Sequence, residues 1–195
     1  MQPSFPPPPP PRVDSKGTSV LVVVLAIVGG GLLLVVVLVV LAISGFSRYM
    51  SSAKTAEAVN AVGQLSASAV SAYERETMIA GSPSVSHGLC DSASRPVPQQ
   101  TAAIAARKYM SSPSDWQFDR AAEKGFYCLR FTMDIPQYYQ YDYQRSGGPG
   151  GSFKAIARGD LDGDGALSEF SQEGRADGSG GVKVSHPIRQ VDPTE

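Results

Sequence analysis

The chain is 195 residues long, 42% hydrophobic and nearly balanced in charge, with 17 basic and 18 acidic side chains. A formal charge of −1 without a basic stripe argues against a nucleic-acid surface and gives little reason for attraction to acidic lipid. The residues after the first apolar run suffice for one domain with its own core and are too few for two.

Residues 1–17 read MQPSFPPPPPPRVDSKG. The unbroken run Pro6 to Pro11 favours extended polyproline II and cannot enter a helix or sheet interior. It reads either as a docking peptide for an aromatic groove or as a semi-rigid disordered tail, and composition favours the tail.

From Thr18 to Ser44 the chain carries 27 residues without a charge, bracketed by Lys16 and Arg48. As a helix this stretch is roughly 40 Å long, enough to cross a hydrocarbon core of about 30 Å with some tilt. The apolar run is about twice the length of a secretory h-region, and Ala42-Ile43-Ser44 is only a weak cleavage site, so an uncleaved anchor is expected. Gly29, Gly30 and Gly31 interrupt it, and Ala26 and Gly30 have small-xxx-small spacing. The triplet reads as a helix-packing face, a flexible point, or incidental tolerance by a helix that the bilayer enforces.

Charge alone leaves the orientation near a tie: Arg12 and Lys16 with Asp14 on one side, Arg48 and Lys54 with Glu57 on the other. The two cysteines, Cys90 and Cys128, both follow the span, and an even pair outside the cytoplasm is usually bridged. A cytoplasmic tail and an external, disulfide-bearing domain are therefore expected, with two buried free thiols as the alternative. The bridge would contribute about 3–4 kcal/mol in the chain-entropy model.

Residues 45–80 are alanine-rich, and Val59, Val62, Leu65, Ala69 and Tyr73 recur at steps of three or four. The spacing predicts an amphipathic helix that continues the span and packs its stripe on its own domain. Residues 81–195 are expected to form that domain. Gly81 to Pro98 reads as a loop pinned by Cys90, TAAIAARKYM as short helical or irregular, and Ser112 to Trp116 as turn-like. Tyr127, Leu129, Phe131, Met133 and Ile135 alternate with polar neighbours, which predicts a strand ending at Pro136. Tyr139, Tyr141 and Tyr143 alternate again. With Tyr138 they form either a sticky surface or one face of a strand, the second being favoured. SGGPGGS is a flexible turn, FKAIARG and ALSEF are paired strands, and Val182–Val184 is a last one. The sum is an α+β chain, a long N-terminal helix followed by a small antiparallel sheet.

No catalytic set is evident, so an enzyme is not expected. His87 and His186 sit beside Gly or Pro without a Cys or second His at metal spacing, and there is no G-x-S-x-G elbow. The one sharp constellation is Asp160, Asp162 and Asp164 followed by Gly165. It matches the start of the D-x-D-x-D-G pattern whose hard oxygens suit Ca2+. The twelfth position is Ser171 instead of the bidentate Glu, and DGDG is equally a hairpin-turn signal. A structural hairpin and a Ca2+ site both stay open. No other cofactor and no small-molecule substrate is expected.

The order of parts resembles the type IV pilins and pseudopilins. KTAEAVNAVGQLSASAVSAYERE is similar to the pilin helix as it enters the globular head. LCDSASRPVP, FYCLRF, PQYYQYDY and FKAIARGDLDGDGALSEF are similar to bacterial pilin-like heads. The resemblance implies a single-pass protein of the bacterial inner membrane, its head in the periplasm or extracellular if assembled. Its partners would be the membrane, other pilin-like subunits and the assembly machinery. The alternative is a non-assembling anchored protein that presents a Ca2+-stabilised binding domain. The start departs from the family. Gly17 and Thr18 would flank a processing site, but Val22 stands where pilins carry the glutamate that pairs with a neighbouring subunit's amine. Retention of the proline-rich tail is therefore expected.

Overall fold

The computed structural model describes residues 6, 16–75, 77–78, 85–148, 151–177 and 180–193. All of the proline run except Pro6, which is exposed, lies outside the described residues. The chain divides into two compact units, Met1–Arg48 and Tyr49–Glu195.

Helix α1 spans Lys16–Glu74, so it begins two residues before Thr18. Within the first unit it contains one stretch long and apolar enough to cross a membrane, Val22–Ala42, none of it buried. Val20 and the large apolar side chains from Val22 to Leu41 are 50–69% exposed. A stretch apolar on every side has no face to turn to water, and lipid is the solvent that suits it.

In the second unit α1 changes character. Ala58, Ala61, Val62, Leu65, Ala69, Ala72 and Tyr73 are buried, while Asn60, Gln64, Ala67 and Ser71 are exposed. This is the predicted stripe, widened by alanines. The helix stops at Glu74, short of the expected Ala80. Thr77–Met78 (β1) instead pairs antiparallel with Val85–Ser86 (β2), inside the expected loop. β-Branched Thr77 favours a strand, and pairing with Ser86 overrides the helical periodicity before it.

A second correction concerns residues 126–135. Gly125–Leu129 is a short helix, α3, closed by Arg130 in the left-handed region (φ 57°). No strand follows before Tyr139. The alternation was misleading because tertiary packing selects Phe126, Leu129 and Phe131, all buried, and leaves Ile135 60% exposed. Trp116 decides this. It ends the short helix α2 (Pro113–Trp116) and meets Phe126 and Phe131 edge-on, with ring centroids 5.0 and 5.4 Å away. Its indole N–H donates to Ser111 Oγ at 3.0 Å, and that hydroxyl donates to the Met133 carbonyl at 3.0 Å.

The sheet is antiparallel throughout: β3 (Tyr139–Ser146), β4 (Ser152–Gly159), β5 (Ser168–Ala176), β6 (Val182–Val184) and β7 (Arg189–Val191). The short β6 and β7 share one edge of β5, pairing with Gly174–Ala176 and Glu169–Ser171 respectively. β7 has no counterpart in the sequence reading. Tyr139, Tyr141 and Tyr143 are fully buried, together with Phe153, Ala155, Ala157 and Phe170, in one cluster with the α1 stripe. The strand-face reading of these tyrosines holds, and they lie deeper than half-buried.

Gly159 shows how tightly the tyrosine face closes. It is the cross-strand partner of Tyr139, and a Cβ there would lie 2.5 Å from the Tyr139 ring. Gly159→Ala is expected to lose about 1–3 kcal/mol by overpacking. Gly63→Ala on α1, where a Cβ meets nothing within 4 Å, should be neutral or stabilising by up to about 1 kcal/mol. Denaturant melts of the two variants in detergent check the contrast.

Candidate functional site

In the span, Ala26 and Gly30 are exposed, and a Cβ added at Gly29, Gly30 or Gly31 meets nothing within 4 Å. The small-xxx-small face is therefore uncovered by the described residues. Gly17 and Thr18 fall in the first turn of α1.

Cys90 and Cys128 form the expected disulfide, with Cα atoms 5.9 Å apart. It ties the chain after β2 to α3. The Arg75 guanidinium, just beyond α1, donates to the Cys128 carbonyl, so the helix end, the crosslink and α3 converge. Tyr143 donates its hydroxyl to the Cys90 carbonyl at 3.3 Å, which joins β3 to the same point.

Asp160, Asp162 and Asp164 sit in the loop between β4 and β5, with candidate ligand oxygens all within 4.8 Å of one another. Asp160 is buried and accepts the Gly163 N–H at 2.7 Å and the Gly165 N–H at 3.3 Å. Asp162 accepts from Asp164 N–H at 3.2 Å, and Asp164 from Ala166 N–H at 2.7 Å. Gly163 and Gly165 take φ of +87° and +92°, which the turn requires and other residues resist. The pairing of Gly159 with Ser168 closes this loop as a hairpin.

The three oxygens suit a hard cation, but the remainder of the expected loop is committed elsewhere. Ser171, in the twelfth position, belongs to β5 and is buried. Glu169 binds Lys154 at 3.1 Å and Arg158 at 3.0 Å, and Arg158 reaches Asp142 at 3.9 Å. Burial opposes the Glu169 charge, yet hydrogen bonds and charge from Lys154 and Arg158 outweigh it and hold the carboxyl below its usual range. This network spans β3, β4 and β5 and was not foreseen.

Also unforeseen was Glu57. In the sequence it is only a charge that follows the apolar span. It is half-buried on α1 and accepts the Tyr138 N–H at 2.7 Å and the Tyr141 hydroxyl at 3.3 Å. Its place next to Ala58, at the margin of the buried stripe, was the available signal. Burial pushes its pKa above 4.5, against the lowering effect of those bonds and of Lys108. Burial also pushes Tyr139 up to about 12, with the Thr55 and Ser168 hydroxyls offsetting part of it.

The histidines make ordinary contacts. His87 Nδ1 lies 3.1 Å from the Tyr73 carbonyl, and His186 Nδ1 lies 3.4 Å from Gln172 Nε2. His186 also borders an open apolar groove of about 510 Å³ between α1 (Val59, Gly63, Val70) and Val184 and Ile188. Among the described residues, the three aspartates alone gather three metal-ligating side chains.

No family model matches the chain, and no curated protein or solved structure shows significant similarity to it.

Asp160→Ala removes the acceptor of two backbone N–H groups and is expected to cost about 1–3 kcal/mol. Asp162→Asn and Asp164→Asn, both exposed, should each stay within about 0.5 kcal/mol in chelator. Melting the parent in excess Ca2+ against chelator separates the two readings of the loop, because equal Tm values leave the hairpin alone. Glu169 has a lowered folded pKa, so its stabilisation is present above its ordinary 4.5 and is lost as pH falls through the folded value. Glu169→Gln should cost about 1 kcal/mol at pH 7, and the gap to the parent should close in acid, as read by melts across pH.

Proposed function

We propose that this chain is a membrane-anchored structural protein of type IV pilin-like design, a minor pilin or pseudopilin of a pilus or related secretion assembly. One observation carries the reading. A single helix, Lys16–Glu74, contains an all-round apolar stretch and, farther along, the buried stripe of an α+β head closed by a disulfide. The element order of long helix, crosslinked irregular segment and antiparallel sheet supports it. In this reading the exposed Ala26–Gly30 face packs against neighbouring helices in the inner membrane. The head lies on the oxidising side, where a Cys90–Cys128 bond persists.

Val22 in place of the pilin glutamate favours a second reading, an anchored binding domain that does not assemble. Tagged full-length chain purified from native membranes distinguishes them. Co-purification with other pilin-like subunits, the assembly ATPase or the platform protein is the expected result, and recovery of the chain alone would overturn it. Mass spectrometry of the native amino terminus is expected to find residues 1–17 retained.

A further inference from the structure

We propose that Arg175 and Lys183, with the Ser146–Ser152 hydroxyl pair beside them, form a binding site for a tetrahedral oxyanion, a phosphate or sulfate ester, at one end of the sheet. The inference does not depend on the pilin reading. Register places the four residues in one line across β3, β4, β5 and β6. Ser146 is the cross-strand partner of Ser152, Ser152 of Arg175, and Arg175 of Lys183. Neighbouring strands lie about 4.8 Å apart, so the line runs about 14 Å. Side chains two residues apart share a face. Arg175 therefore lies on the face of Glu169, and Ser152 on that of Lys154 and Arg158, opposite the buried tyrosines. Ser146, Arg175 and Lys183 are exposed, and Ser152 is half-buried.

Charge separates this line from the rest of its face. Where register brings opposite signs together they bond: Arg158 faces Glu169 and meets it at 3.0 Å. At Arg175 and Lys183 it brings like signs together, and like charges directly opposite weaken strand pairing. Among the described residues, neither cation has an ion pair within 4 Å or a side-chain hydrogen bond. Two acids lie close by without neutralising them at contact. Asp177 accepts the Gly181 N–H at 3.1 Å in the turn after β5. Glu173, two residues before Arg175 on the same face, is exposed and bonds to neither cation.

The donors suit a tetrahedral anion. A guanidinium presents a planar fork to two oxygens, and an ammonium from the next strand adds a third charge-assisted contact. Ser146 Oγ and Ser152 Oγ lie 2.8 Å apart. Their mutual bond uses one hydroxyl hydrogen and leaves the other free to donate. A carboxylate, with two oxygens, leaves part of this set unused. A bound oxyanion also relieves the opposition between β5 and β6. Binding is therefore linked to the hold on β6, which pairs with β5 over only Val182–Val184.

The test titrates inorganic phosphate against the full chain in uncharged detergent micelles near neutral pH, replacing chloride at constant ionic strength. It reads the 15N–1H shifts of Arg175 Nε and the Lys183 amide, together with Tm. The parent should show a saturable shift and a rise in Tm. Arg175→Gln and Lys183→Gln should each weaken binding roughly tenfold. Without phosphate, Lys183→Gln should melt at or above the parent, which separates lost binding from lost folding. Glu173→Gln should bind more tightly. Arg189→Gln removes an exposed cation opposite Ser171 on the same face and should bind as the parent does. Methyl phosphate and methyl sulfate then identify the ester, and saturable binding of either that Arg175→Gln weakens supports the site. A response that never saturates, unchanged affinity in Arg175→Gln and Lys183→Gln, equal weakening by Arg189→Gln, or acetate binding as tightly as phosphate overturns the inference.

Discussion

Small side chains on α1 allow a wall of large ones on the sheet to be buried completely. Ala58, Ala61, Ala69 and Ala72 share the core with Tyr139, Tyr141, Tyr143, Phe153 and Phe170. An alanine stripe alone would bury too little area to hold a helix on a sheet. Tyrosine and phenylalanine supply that area from the other side, each burying roughly 150–250 Å². The hydroxyls of Tyr141 and Tyr143 then need partners, and the structure provides them from distant parts of the chain. Tyr141 reaches Glu57, and Tyr143 reaches the Cys90 carbonyl beside the crosslink. Packing and hydrogen bonding thus specify the same arrangement of helix, sheet and crosslink.

The other face of the sheet is organised by charge. Asp142, Arg158, Glu169 and Lys154 alternate in sign across three strands, and register places Arg158 directly opposite Glu169, with Asp142 and Lys154 within reach of that pair. Each is partly shielded, so the pairs are screened less than fully exposed ones. Glu169 is held within this network. The strand that carries it is paired from Ser168 onward, and the side chain is drawn back to Lys154 and Arg158. The aspartates just before it are left as the buried and exposed acceptors of a tight turn.

Where periodicity and packing agreed, the sequence was readable. The valine- and leucine-rich run is apolar on every side, and the stripe through Val62, Leu65 and Ala69 and the strands at Tyr139, Phe153 and Val182 each keep one period over their length. The cysteine pair was readable from its even number and from both cysteines following the apolar run. Residues 126–131 were not, because their alternation coincides with a helical turn that buries Phe126 and Leu129 and sets Phe126 against Trp116. β7 was missed because three exposed residues carry no pattern. Glu57 was missed because nothing local distinguishes a solvated glutamate from one that a strand 80 residues away will cover.

By itself the sequence determined the elements whose side chains answer to a uniform solvent: an all-apolar helix for lipid, a one-sided helix and alternating strands for a core, and a glycine-aspartate turn between two of them. Only the tertiary structure decided which helix residue meets which strand residue. That choice set the protonation preference of Glu57, the pairing of Glu169, and the conversion of a strand-like run into α3. The reason is range: solvent preference is a property of each residue and its near neighbours. Desolvation and hydrogen-bond pairing depend on atoms that the fold brings together from far along the chain.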